Sequence, residues 1–176
     1  MPQPGSTTTI SASTRLILLD CFETLVEFDG GVYRPRQGVA AFLDHFHRRP
    51  IPLVVISDAI QAVVEDAIAG AGLRPVLAAI YHAGNASEPL SGGRMRKRLD
   101  LPLRDFAVTP AEAVFIGDSP MDAEAAIHHG VPFIRVPRSE DRTFSFATLI
   151  HGPSRYDSDT FALTFLDAHR RRVVPP

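Results

Sequence analysis

Short, nearly continuous apolar runs alternate along this chain with stretches in which apolar residues recur at helical spacing. The runs are Leu16–Asp20, Pro52–Ser57, Val76–Tyr81, Ala113–Gly117 and Pro132–Val136. Runs this short, without polar alternation, suit strands covered on both faces, as in a parallel sheet. Between them, Gly38–Arg49 carries Val39, Phe42, Leu43 and Phe46 on one helical face, and Ile60–Ala71 does the same with Val63, Val64, Ala67 and Ile68. Leu99, Leu103 and Phe106 share a helical face that reads as core. A helix starting at Pro120 is expected to end at His128-His129-Gly130, where glycine suits the C′ position and imidazoles meet the last carbonyls. Alternation of strand and helix predicts an α/β fold, a doubly wound parallel sheet of about five strands.

Val26–Arg34 departs from that rhythm. Asp29-Gly30 is a two-residue turn signal between two short extended stretches, which predicts a hairpin beside the end of the first strand. Residues 1–14, rich in Ser, Thr and Pro, lack the basic start and apolar stretch of a secretory signal and read as a disordered leader. The core is expected over 15–137. Residues 138–176 form a C-terminal extension ending in a helix from Thr160 to Arg171 that packs on the core.

Composition narrows the classes. With 176 residues, 45% of them hydrophobic, the chain supports one substantial core. A formal charge of −2 gives no global footprint for nucleic acid or an anionic membrane. Cys21 is the only cysteine, so no intrachain disulfide forms, and no apolar run approaches the roughly 20 residues a membrane span needs. A cytoplasmic location follows as an expectation.

In an open parallel sheet, ligands bind beyond the carboxyl ends of the strands, where strand order reverses. Here the first strand runs into Asp20-Cys21-Phe22-Glu23-Thr24-Leu25, the second ends in Ser57-Asp58, and the fourth ends in Gly117-Asp118-Ser119-Pro120-Met121-Asp122. A single carboxylate at a strand end is commonly the cap of the next helix. Three strand ends carrying carboxylate or hydroxyl groups form a chemical set.

These segments resemble the four ordered motifs of the haloacid dehalogenase superfamily. The resemblance rests on Asp-x-x-x-Thr-Leu at 20–25, Val-Ile-Ser at 55–57, a basic residue near 97 and Val-Phe-Ile-Gly-Asp-Ser-x-x-Asp at 114–122, and it spans roughly residues 15–137. It implies a Rossmann-like fold and a hydrolase, most simply a phosphatase or phosphotransferase working through an aspartyl-phosphate on Asp20. It further implies Mg²⁺ held by Asp20, the backbone carbonyl of Phe22 and Asp118, with Asp122 binding a metal water or holding a ligand in place. Such hard oxygen donors suit Mg²⁺. Thr24 would orient the nucleophile loop and Ser57 would hydrogen-bond the phosphoryl group. Lys97, the only lysine among 18 basic residues, is the candidate cation for nucleophile and phosphate, with Arg94 as its substitute.

The chain departs from the family at residue 22, where phosphatases of the superfamily carry a second aspartate as general acid and base; its loss commonly costs about 10²–10⁴-fold. Phe22 is reminiscent of the dehalogenase branch, whereas Asp118 argues for metal chemistry. The connections flanking Ser57 leave no room for a cap domain, so the expected member is capless, its phosphorylated substrate large, and a homo-oligomer compatible. Two rivals stand beside this reading: a haloacid-dehalogenase-type hydrolase, and a binding or assembly protein that kept the fold and lost efficient hydrolysis.

Overall fold

The computed structural model describes residues 10–151. Five short strands form one parallel sheet: β1 (Leu16–Leu19), β4 (Leu53–Ile56), β5 (Ala79–Tyr81), β8 (Ala113–Gly117) and β9 (Phe133–Arg135), in the order β5-β4-β1-β8-β9. β1 is central, paired with β4 through Ile17↔Leu53 and with β8 through Leu16↔Ala113. After β1 the chain builds outward to β4 and β5, then crosses back to add β8 and β9. Strand order therefore reverses at β1, and the crevice beyond it is flanked by the residues that follow β1 and β8.

The apolar runs are continuous because the sheet is buried on both faces. Ile17, Leu19, Leu53, Val55, Val114 and Ile116 face one layer with α1 (Val39–His47) and α2 (Gln61–Gly70). Leu16, Leu18, Val54, Ile56 and Phe115 face the other, with Leu103 of α3 (Asp100–Asp105) and Ala125 and Ala126 of α4 (Pro120–His129). Leu99, expected with Leu103 in the core, is fully buried. The expected end of α4 is also found, with Gly130 at φ 68.

Three expectations need adjustment. The hairpin forms from β2 (Val26–Asp29) and β3 (Val32–Pro35), but Asp29 pairs with Val32, so its turn is Gly30-Gly31 instead of Asp29-Gly30. Both glycines have positive φ, 59 and 85, as a tight hairpin turn requires. The strand expected from Val76 starts only at Ala79, because Arg74–Val76 is a single 3₁₀ turn around Pro75. A second hairpin, β6 (Ser87–Pro89) with β7 (Met95–Lys97), went unforeseen.

Of the residues expected as a leader, Ile10 is partly buried against the core and Thr14 is buried. At the other end, α5 (Thr148–His151) follows Phe146, which is fully buried against Phe42. The helix expected over Thr160–Arg171 lies outside the described residues. Among the described residues, no separate cap domain interrupts the core, and no helix is long and apolar enough to cross a membrane.

Candidate active site

The turn after β1 is built by its own backbone. Asp20 extends the ladder, its amide donating to the Ile116 carbonyl at 2.9 Å, and the Cys21 carbonyl then accepts from Leu25 (2.8 Å) and Val26 (3.0 Å). Glu23 takes φ 59, a left-handed conformation uncommon outside glycine. Its surroundings hold it there: Arg36 donates to the Glu23 carbonyl, and the carboxylate accepts from the Ser139 amide (3.1 Å) and hydroxyl (2.5 Å). These contacts present Asp20 and Thr24 toward the crevice with little freedom to move.

Lys97 reaches the same place from β7. Its Nζ donates to Oδ1 of Asp20 and to Oδ1 of Asp122, each at 2.5 Å, and lies 3.4 Å from Asp58 and 5.6 Å from the Phe115 ring centre. Burial alone would favour the neutral amine, but Asp20, Asp122 and Asp58 outweigh it and hold the ammonium well above its ordinary pKa. Asp122 is fixed in turn by a capping box at the start of α4. Its amide donates to the Ser119 hydroxyl (3.1 Å), and its Oδ2 accepts from the Ser119 amide (3.1 Å) and hydroxyl (2.7 Å). A Cβ at residue 117 would come within 2.6 Å of Oδ2 of Asp122, so glycine is needed before Asp118 to let this carboxylate in.

Asp118, at the end of β8, completes the group. Asp20, Asp118 and Asp122 each place a carboxylate oxygen within 4.8 Å of the others. The Thr24 hydroxyl lies 3.1 Å from Oδ2 of Asp20 and 3.1 Å from Oδ1 of Asp118. A hydroxyl has one proton, so it satisfies only one of these acceptors at a time. Burial raises the pKa of both carboxyls. Asp20 is pushed up to about 7 by burial together with Asp122 and Asp118, against the pull of Lys97; the Thr24 bond only partly offsets the effect at Asp118. With Asp58 beside Lys97 and Arg138 beside Asp118, four carboxylates face two cations, an excess of two negative charges when all are ionised, the charge of one divalent cation. An oxygen donor set with that charge fits Mg²⁺.

The sequence-derived candidates do not all converge. Asp20, Thr24, Lys97, Asp118 and Asp122 share one hydrogen-bonded cluster. Arg94, the alternative cation, instead pairs with Glu124 on the exposed face of α4. Ser57 is buried at the end of β4 and its hydroxyl accepts from the Ala59 amide at 3.3 Å, a turn contact on the site's flank. The Phe22 side chain is half-buried, its ring 5.7 Å from that of Tyr33, so it packs on the β2–β3 hairpin and the core. Among the described residues, the backbone hydrogen bonds of this turn fall on the Cys21 and Val26 carbonyls and leave that of Phe22 as a candidate ligand.

Two charged neighbours went unassigned from sequence. Asp58 follows the Ser57 motif directly, and its adjacency was the available signal. Arg138 lies beyond the last strand, with Nε 3.6 Å from Asp118 and its carbonyl accepting from Arg36 at 3.1 Å. No sequence spacing marks it, because the contact depends on how the chain leaves β9.

A family model described as haloacid dehalogenase-like hydrolase matches residues 26–136. The match begins past Asp20, so the turn after β1 is read from its geometry. No curated protein matches the chain. Among solved structures, it is similar to a HAD-superfamily hydrolase, subfamily IA, variant 1, from Geobacter sulfurreducens PCA, with 15% identity and a TM-score of 0.59 over 72% of this chain and 93% of that one. CbbY from Rhodobacter sphaeroides, solved with phosphate, shares 17% identity at a TM-score of 0.61 over 76% and 91%. The phosphatase-domain part of BF1531 from Bacteroides fragilis, complexed with Mg, shares 16% identity at a TM-score of 0.56 over 78% and 40%. At these identities the likeness is one of fold.

Proposed function

The chain belongs to the haloacid dehalogenase-like hydrolases, and from that premise we propose a Mg²⁺-dependent phosphatase or phosphotransferase that works through an aspartyl-phosphate on Asp20. One observation carries the reading. Oδ1 of Asp20 is held by Lys97, while Oδ2 shares the Thr24 hydroxyl with Asp118. One carboxylate thus faces a fixed cation on one side and a second carboxylate on the other, as a nucleophile that must also help hold a metal requires. The phosphate bound to CbbY and the Mg bound to BF1531 support it by analogy of fold.

In this mechanism an oxygen of Asp20 forms a bond to phosphorus as the P–O bond to the leaving group breaks, and the leaving group departs with the electron pair. Water, or an acceptor hydroxyl, then attacks phosphorus, the P–O bond to Asp20 breaks with its electron pair returning to the carboxylate, and the proton of the attacking O–H leaves on a phosphate oxygen of the product. Asp20, Asp118 and the Phe22 carbonyl would hold Mg²⁺, which supplies charge neutralisation for the phosphoryl oxygens. Asp122 has one oxygen on Lys97 and the other on Ser119, so its part is to position the lysine. Lys97 follows the charge from carboxylate to phosphoryl group, and the Ser57 hydroxyl donates to a phosphoryl oxygen.

Phe22 sets the substrate class. With its ring packed toward Tyr33, residue 22 has no proton to give the leaving oxygen. Glu23 does not replace it, because its carboxylate is tied to Ser139. The reading favours leaving groups that depart unprotonated, as in aryl or acyl phosphates, and a large substrate, since no cap among the described residues encloses Asp20. The test compares aryl and alkyl phosphates with Mg²⁺ present. Aryl phosphates should react far faster, Phe22→Asp should raise alkyl turnover by about 10-fold or more, and Asp20→Asn should abolish both. Equal rates on the two classes with no gain in Phe22→Asp would overturn the account of residue 22. Halide release from haloacids without Mg²⁺ would favour a dehalogenase, and inactivity of every variant a binding protein.

A further inference from the structure

Outside the Asp20 cluster, Glu88, His128 and His129 each offer a donor atom, and the three atoms lie within 4.8 Å of one another. Glu88 stands on β6, while the two histidines close α4. We propose that Glu88, His128 and His129 form a second metal site for a Zn²⁺-type dication, which staples the β6–β7 hairpin to the end of α4.

The donor chemistry selects the ion. Two imidazoles and one carboxylate suit Zn²⁺ and its first-row neighbours, whereas Mg²⁺ prefers oxygen donors. Zinc bonds of about 2.0–2.2 Å put two donors on one ion some 3.3 Å apart, so donors up to 4.8 Å apart must close by as much as about 1.5 Å. The side chains have the freedom to do so, with Glu88 33% and His128 47% exposed.

His129 is the anchored member. Its Nε2 lies 3.3 Å from the Lys97 carbonyl and 3.9 Å from Asp100. In the tautomer that donates from Nε2 to that carbonyl, Nδ1 is the free ligand, and the carbonyl serves as the outer partner that orients a metal-bound imidazole. Burial lowers the pKa of His129, which keeps the ring neutral and ready to ligate. Arg96 already holds Glu88 through Oε1, with Nε at 2.7 Å and Nη2 at 2.6 Å, and the same oxygen lies 4.0 Å from Nε2 of His128, so a turn of the carboxylate is needed to bring Oε2 to an ion.

The location gives the site a purpose. An isolated two-stranded hairpin is marginal in water, and this one carries Lys97. A metal bridging Glu88 to the end of α4 would tie both strands of the hairpin to the helix that bears Asp122.

The test is calorimetric titration of the full chain with ZnCl₂ in excess Mg²⁺, which blocks the carboxylate cluster. Wild type should bind one Zn²⁺ and gain thermal stability as Zn²⁺ rises. His128→Gln and Glu88→Gln, both at accessible side chains, should each weaken binding by about 10-fold or more. With Co²⁺ as probe, the visible absorption of an imidazole-ligated ion should appear in wild type and fade in His128→Gln. Unchanged Zn²⁺ affinity in both variants, or no Zn²⁺ binding by wild type, would overturn the proposal.

Discussion

Lys97 Nζ lies 2.5 Å from Oδ1 of Asp20, although 77 positions of sequence separate the two residues and Lys97 sits on a hairpin outside the main sheet. The lysine is 3% exposed, so solvent does little to screen its loss. Lys97→Met leaves Asp20, Asp122 and Asp58 without their shared cation. Breaking a buried ion pair from one side costs about 3–5 kcal/mol, and denaturant unfolding at neutral pH should show a loss of that size. Lys97→Arg should not restore stability, since a planar guanidinium cannot occupy the point between two carboxylates that an ammonium fills. A loss below about 1 kcal/mol would mean that the carboxylates find another partner.

Mg²⁺ should stabilise the protein by mass action, about 2.7 kcal/mol at a concentration 100 times the dissociation constant. Asp118→Asn keeps the shape of the side chain and its contact with Thr24 while removing the charge. Thermal melts of this variant should respond to Mg²⁺ much less than wild type, and an equal response would place the ion elsewhere.

Ser87 pairs directly with Lys97 across the hairpin, and its hydroxyl is buried without a hydrogen-bond partner among the described residues. Leaving a buried polar group unsatisfied costs free energy, so Ser87→Ala should keep or raise the melting temperature. Paired activity assays give the group its meaning. Unchanged turnover marks the hydroxyl as a tolerated orphan, whereas a drop with intact stability marks it as a contact to something bound at the site.

Acid stability should carry a trace of the turn before β8. Glu112 accepts from the Thr109 amide (2.9 Å) and hydroxyl (2.8 Å) and from Arg15, and these bonds pull its carboxyl from 4.5 down to about 2. Above its unfolded value the group is ionised in both states and its contribution is fully present. As pH falls from 4.5 toward 2, the unfolded chain takes up the proton first and that contribution is lost. Stability measured against pH should fall less steeply over this window in Glu112→Gln than in wild type, and parallel curves would contradict the capping role.

The sheet was readable because its strands are covered on both sides, which makes Leu16–Leu19, Leu53–Ile56 and Ala113–Gly117 continuous apolar runs. Asp20 and Asp118 were readable because each ends such a run, at the strands flanking the point where order reverses. The β6–β7 hairpin was hidden. Pro89, Gly92 and Gly93 break any alternation, and the hairpin is held by backbone pairing, the Arg96–Glu88 ion pair and the burial of Lys97. Lys97 stood out as the sole lysine and as the basic residue of the family resemblance, not through any pattern of the hairpin. The contact of Glu23 with Ser139 spans 116 positions, and that of Asp118 with Arg138 crosses β9 and its exit, so neither leaves a local periodicity to find.

The central claim is that Asp20 accepts the phosphoryl group beside a bound Mg²⁺, and a crystal structure of the chain with Mg²⁺ and beryllofluoride tests it most directly. The expected result is beryllium bonded to an oxygen of Asp20, Mg²⁺ between Asp20 and Asp118, and Lys97 turned toward a fluorine. A fully ligated Mg²⁺ with no adduct on Asp20, or an adduct on another side chain, would contradict it.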